Sequence, residues 1–570
     1  MMLKLSAVCA LLAVASASLA PGPLSLIELN SQKAKDASPA PNPADGGMVE
    51  NRSPKFPAFR MSMPVDHFHN DSRYEPHSHE MFDLWYWLDY THYRPGGPVF
   101  LFQSSENLEG AQYEVLEKGM LHDLKAATHG MAVVLEHRYY GKSIPTKDLS
   151  TKNLRFLTTD QAVADMAYFA QNIKYAGLES QKLTAADVPY IVYGASYGGA
   201  LAAIARKLYP DVFWAAIASS AITEAITDMW SYYEPIRVYA DQKCIAYQQK
   251  VVNMIDNILM HVRNPEITAQ LKGVFGLAEL THDDDFAHVA TAIGVTSWQR
   301  RNWAPKEHDP DFDEFCGNIT SSRVLHGSTQ RLRSTLTDLI KVGGYGSEVG
   351  QMSTPLLNWI GWLANFAKAC PDTLDNCYSL HDRPMYKLHD LGQIWRPWFY
   401  QVCTEWGLWT TGSSYPQGKL PLISRVVNLE YSSQICRHAY GITTPPNLDA
   451  VNKHGGFKLS YPRLAFIDGE QDPWRPAGVH ASPFNETAVN RTDTASEPFL
   501  LIPGAGHHWD LNGVLPEERV DYPPNYLPPP MIRDAQHLAL MYVQQWLMQW
   551  QQELMIRNQK REEEEEEKAA

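Results

Sequence analysis

A serine between two glycines, Gly194-Ala195-Ser196-Tyr197-Gly198, follows the G-x-S-x-G pattern of a nucleophile held on a sharp turn between a strand and a helix. The flanks carry the matching signals: Ile191 to Tyr193 is an apolar strand, and Gly199 to Leu208 is an alanine-rich helical stretch stopped by Pro210. Glycine belongs on both sides because Cβ atoms there would collide, and the turn lifts the hydroxyl to a helix N-terminus. A serine hydroxyl is a poor nucleophile near neutrality, so it needs a base to take its proton and a carboxylate to orient that base. In the order Ser, acid, His, the acid should follow a later strand, and Leu464 to Ile467 leads into Asp468-Gly469-Glu470-Gln471-Asp472-Pro473-Trp474. Asp472 is preferred to Asp468 because it lies beyond the Gly469 turn, where a carboxylate can reach across. The next strand, Phe499 to Ile502, leads into Gly504-Ala505-Gly506-His507-His508-Trp509-Asp510. His507, directly after the small-residue turn, is the expected base, and His508 a packed neighbour. The oxyanion needs two backbone donors, expected from Tyr197 and from the loop Gln103-Ser104-Ser105-Glu106, with Ser104 as the second donor. There is no H-E-x-x-H and no paired C-x-x-C, so neither a metal nor another cofactor is expected.

These loops must be placed by a sheet. Short apolar runs bounded by Gly and Pro, namely Pro98 to Phe102, Met131 to Leu135, Pro189 to Tyr193 and Phe213 to Ala218, suit parallel strands covered on both faces. Thr158-Thr159-Asp160-Gln161 is a capping box, followed by Val163, Met166, Ala167, Ala170 and Ile173 at helical spacing. After residue 220 this rhythm gives way to amphipathic stretches such as Val251 to Val262 and Leu332 to Val342. The expected fold is α/β: a hydrolase sheet from 51–220 and 441–555, with a mostly helical insertion at 221–440. Asp534 to Met555 closes the sheet domain with Ala539, Val543, Trp546 and Trp550 along one face, and 556–570 is an acidic, solvated tail.

Residues 1–17 have the charge, apolar core and small-residue end of a signal peptide, and 18–50 reads as a propeptide or linker. Secretion is therefore expected, either to the exterior or to a lysosome or vacuole. Beyond the leader no stretch is long and apolar enough for a membrane span. Six cysteines remain after the leader (Cys244, Cys316, Cys370, Cys377, Cys403, Cys436), enough for three disulfides, of which only Cys370 with Cys377 is suggested by proximity. Asn51, Asn70, Asn318, Asn485 and Asn490 open N-x-S/T sequons and are expected surface glycosylation sites. The formal charge of −15 argues against a nucleic-acid partner. Oligomeric state is left open, a homodimer included.

The chain resembles the secreted and lysosomal serine peptidases that include Pro-X carboxypeptidase, dipeptidyl peptidase II and the fungal acid prolyl endopeptidases. The resemblance runs from about Val65 to Trp550 and rests on Val65-Asp66-His67-Phe68, on Glu136 to Gly141 (EHRYYG), on Leu157 to Ala162 (LTTDQA), on Gly194 to Gly199, on Trp398 to Gly407 (WFYQVCTEWG), on Asp472-Pro473-Trp474 and on Ala505 to His508. It implies a triad of Ser196, Asp472 and His507 under a helical insertion, acting on proline-containing peptide or protein substrates with proline on the acyl side of the scissile bond. Trp474 and Trp509, beside the acid and the base, are candidates to line the proline slot. Glu106 and Glu405 are candidates to grip a free α-amine. The chain departs from the family pattern at Ser104 and Ser105, where glycines are usual, and at Phe82 to Trp87.

Overall fold

The computed structural model describes residues 56–106, 113–381, 383–519 and 526–569; the leader, the 18–50 segment and Asn51 lie outside them. Ten strands occur among the described residues: β1 (Ala58–Pro64), β2 (Met81–Asp89), β3 (Val99–Gln103), β4 (Met131–Leu135), β5 (Tyr190–Ala195), β6 (Phe213–Ser219), β7 (Ile226–Asp228), β8 (Gly407–Trp409), β9 (Leu464–Gly469) and β10 (Phe499–Ile502). Eight form one sheet in the order β1-β2-β4-β3-β5-β6-β9-β10. Pairing is parallel from β4 to β10 and antiparallel for β1 with β2 and β2 with β4. This is the α/β-hydrolase arrangement expected from the sequence.

The continuous apolarity of the central strands follows from alternation between two covered faces. Val99, Leu101, Val133, Val192 and Phe466 join the cluster that extends into the insertion. Phe100, Phe102, Val134, Ile191 and Ile467 face the other way, where Ile532, Ala539, Val543 and Trp546 of the closing helix cover them. That helix runs Pro530–Ala569, so the acidic stretch continues it, and its side chains from 556 to 565 are exposed. Thr158 caps the helix Thr159–Asn172, its side chain accepting from the N–H of Gln161.

Between β6 and β9 the chain is mainly helical. Long members are Gln242–Asp256, Asp283–Thr296, Asp311–Thr320, Val349–Lys368 and Leu429–Tyr440, the last capped by Asn428 and ended by Gly441 at φ 69°. The parallel pair β7–β8 is the strand structure here. Three disulfides tie the region: Cys244–Cys316 and Cys403–Cys436 each join two helical segments, and Cys370–Cys377 closes a local loop. No described helix is long and apolar enough to cross a membrane.

Candidate active site

Parallel register brings the ends of β5, β9 and β10 to one edge of the sheet, since Ala195 pairs with Ser219, Ser219 with Ile467 and Ile502 with Gly469. Ser196 follows β5 at φ 57°, a conformation that costs a non-glycine residue energy and is held here by its surroundings. Its N–H donates to the Ser219 carbonyl at 2.9 Å. The turn is tight enough that a Cβ on Gly194 would lie 2.1 Å from the Gly198 oxygen, and one on Gly198 2.8 Å from the Gln103 oxygen. Both glycines are therefore required by close approach.

His507 sits between the other two members. Its Nε2 is 3.0 Å from Ser196 Oγ and its Nδ1 2.8 Å from Asp472 Oδ2. Asp472 Oδ1 accepts the N–H of Trp474 at 2.8 Å, which fixes the carboxylate. All three are buried. Asp468 is engaged elsewhere, its Oδ2 being 2.6 Å from His480 Nδ1. His508 packs against His507, ring centroids 4.5 Å apart: its N–H donates to Ser220 Oγ at 2.8 Å, and its Nδ1 has no hydrogen-bond partner among the described residues. Burial, with His507 adjacent, pushes the His508 pKa down to about 3, so its ring is neutral.

The loop after β3 departs from expectation. The Ser104 N–H is spent on the Leu135 carbonyl at 2.9 Å, which corrects its assignment as the second backbone donor. The next residue turns toward the nucleophile. Ser105 Oγ accepts the Gly198 N–H at 3.2 Å and donates to Glu106 Oε2. Burial raises the Glu106 pKa. Tyr197 starts the helix after the serine, so its N–H has no acceptor within the helix. Its hydroxyl accepts from Gln401 Nε2 at 2.6 Å and lies 3.0 Å from His137 Nε2.

Glu405 is not poised to meet a substrate amine. Its Oε2 accepts the N–H and the hydroxyl of Thr159, both at 2.9 Å, so it caps the helix Thr159–Asn172; burial raises its pKa to about 6. The two tryptophans are held by the insertion. Trp474 Nε1 donates to Gln299 Oε1 at 2.9 Å, and its ring lies 4.9 Å from that of Tyr232, whose hydroxyl donates to the same oxygen. Trp509 Nε1 donates to the Arg301 carbonyl, Trp303 Nε1 to the Trp509 carbonyl, and Trp298 Nε1 to the Gln471 carbonyl. The segment 298–303 thus grips both the acid loop and the histidine loop. Sequence reasoning passed over these residues, although two tryptophans and two arginines within 298–303 were a signal. It also gave no role to Asp510, which accepts from Ser219 Oγ at 2.6 Å beneath the site.

Of the sequons, Asn70 and Asn490 are exposed and Asn485 is half-buried. Asn318 lies within the helix Asp311–Thr320, its Nδ2 donating to the Glu314 carbonyl and its Oδ1 meeting His326, so its amide is engaged.

Residues 63–521 match the family described as Serine carboxypeptidase S28. A probable extracellular serine carboxypeptidase of Arthroderma benhamiae is 43% identical over 96% of this chain and 74% of its own. The serine protease vicPb of Bipolaris victoriae is 29% identical over 75% of this chain and 80% of its own. The prolyl carboxy peptidase like protein 5 of Caenorhabditis elegans is 24% identical over 77% and 82%. The route out of the cell expected from the leader is that of the Arthroderma protein. With Ser196, His507 and Asp472 joined by hydrogen bonds at one edge of the sheet, and with this match over residues 63–521, the chain belongs to the serine carboxypeptidase S28 family.

Proposed function

We propose that this protein is a secreted serine peptidase that cleaves on the carboxyl side of proline through an acyl-enzyme on Ser196. The observation that carries the reading is the continuous Ser196–His507–Asp472 hydrogen-bond chain. His507 Nε2 takes the hydroxyl proton as Oγ attacks the scissile carbonyl, while Asp472 holds the Nδ1–H and stabilises the imidazolium. The oxyanion is received by the N–H of Tyr197 and, with Ser104 committed, by that of Ser105, whose nitrogen lies beside Gly198. His507 returns the proton to the departing amine, and water, activated by the same base, releases the acid product.

Proline selectivity rests on Trp474, joined to the triad acid through the rigid Pro473 and held by Gln299 and Tyr232. A flat apolar wall gains more contact from a pyrrolidine ring than from a methyl group. The name of the Caenorhabditis relative supports the same reading. Mass spectrometry of fragments from a peptide library carrying Pro or Ala at matched positions tests it. Cleavage after Pro should exceed cleavage after Ala by about tenfold to a hundredfold, the range a shape-selected pocket gives. Equal cleavage, or an unchanged ratio in Trp474→Ala, would remove Trp474 from the pocket.

A further inference from the structure

The loop between β1 and β2 folds back so that Asp66, His69 and His77 each bring a ligand atom within 4.8 Å of the others. We propose that these three residues form a site for a divalent transition-metal ion of the imidazole-binding kind, with zinc as the representative ion. The family motifs that located the triad have no part in it beyond Asp66, because His69 and His77 belong to the loop.

Asp66 is the fixed corner. It is buried, and its Oδ1 accepts from the N–H of Phe68 at 2.9 Å and from Gln161 Nε2 at 2.8 Å. Oδ2 is left facing His77 Nδ1 at 2.8 Å. His77 is half-buried and His69 exposed, with their ring centroids 5.7 Å apart. The His79 ring stacks on that of His69 at 4.6 Å. Two imidazoles and one carboxylate are a mixed nitrogen and oxygen set that suits tetrahedral zinc, with bonds of about 2.0 to 2.2 Å and water in the fourth position. The exposed His69 ring must turn on its His79 stack to bring its nitrogen to bonding distance. Protons balance: the proton on His77 Nδ1 that meets Asp66 Oδ2 must leave that nitrogen before a metal can take it. On binding, Nδ1 gives its lone pair to the metal and the bound neutral ring carries its one proton on Nε2, any other proton passing to solvent. Through Asp66 and Gln161 a bound ion would tie this loop to the helix Thr159–Asn172, so its effect falls on stability rather than turnover.

His282, Asp284 and His381 form a second such group among the described residues, without a fully buried anchor, and supply an internal control. The test is calorimetric titration of zinc chloride into the metal-stripped, untagged chain in a non-chelating buffer at neutral pH, with thermal melts alongside. The expected result is stoichiometric binding with a raised Tm, weakened tenfold or more in His69→Ala while kcat/KM on a peptide substrate is unchanged, and retained in His282→Ala. Absence of binding to the unaltered chain would overturn the proposal. So would binding untouched by His69→Ala, or binding abolished by His282→Ala.

Discussion

Replacing Ser196 with alanine removes the proposed nucleophile and leaves the turn that presents it, because that turn is set by the close approach of Gly194 and Gly198 to backbone oxygens. Ser196→Ala should fold, lose covalent labelling by a fluorophosphonate and lose turnover; persistent labelling would move the nucleophile elsewhere. The two adjacent histidines separate by what each touches. His507 bridges Ser196 and Asp472, whereas His508 meets Ser220 through its backbone and is kept neutral by burial. His507→Ala should lower kcat by on the order of a thousandfold or more, as loss of a triad base does. His508→Asn, which tolerates the φ of 42° found there, should cost about tenfold or less. Comparable losses in steady-state kcat would reverse the assignment. The hydroxyl-to-base pairing was legible from residue type and spacing. The second oxyanion donor was not, because Ser104 and Ser105 are chemically alike and only the neighbouring Leu135 carbonyl distinguishes their N–H groups.

At the scale of elements, the insertion does more than cover the site. Gln299 accepts from both Trp474 Nε1 and Tyr232 Oη, so Gln299→Ala takes this acceptor from both and leaves the buried Trp474 Nε1–H without it, at a cost of about 1–3 kcal/mol. A lower Tm together with a lower kcat/KM is expected, since the acid loop loses a support. An unchanged Tm would show that water replaces the amide. The Cys403–Cys436 bridge holds the turn that carries Glu405 and Trp406 against the helix Leu429–Tyr440, and Trp406 packs 5.4 Å from the Tyr197 ring. Cys403→Ser with Cys436→Ser should cost about 2–4 kcal/mol of stability in denaturant unfolding. The central strands were readable because both faces are covered and their apolarity is unbroken. β1 and β2 were not singled out, because an edge pair with one exposed face mixes polar and apolar residues, as the alternating exposure from Met81 to Trp85 shows.

Over the whole molecule, buried carboxyl groups set the response to pH. Burial raises Glu136 and Asp510 to about 7, and Glu405 and Asp256 to about 6. The folded chain keeps these protons where the unfolded chain has released them. Each group's stabilisation is therefore complete below its ordinary carboxyl value and is lost as pH rises through 6 to 7. His137, His288 and His508 oppose this, because burial holds them neutral and the unfolded chain gains their protons as pH falls through 6.5. The four carboxyl groups outweigh the three histidines, so stability in denaturant should be greater at pH 5 than at pH 8. Glu405→Gln retains an acceptor for Thr159 and should shrink that difference by about 1 kcal/mol, the worth of the part of the shift from 4.5 to about 6 that lies above pH 5. An unaltered difference would mean that Glu405 stays ionised in the fold. The sequence by itself determined the reaction class and the sheet. A nucleophile turn, its glycines and the strands that feed it are short-range patterns, and the order Ser196, Asp472, His507 follows from strand order along the chain. Only the tertiary structure decided how hydrogen bonds are allotted between distant segments. Glu405 caps Thr159, Ser104 serves Leu135, the cysteines pair as they do, and the 298–303 segment grips the catalytic loops. Each depends on which buried donor meets which acceptor when segments far apart in the chain pack together, and residue type along the chain does not specify that.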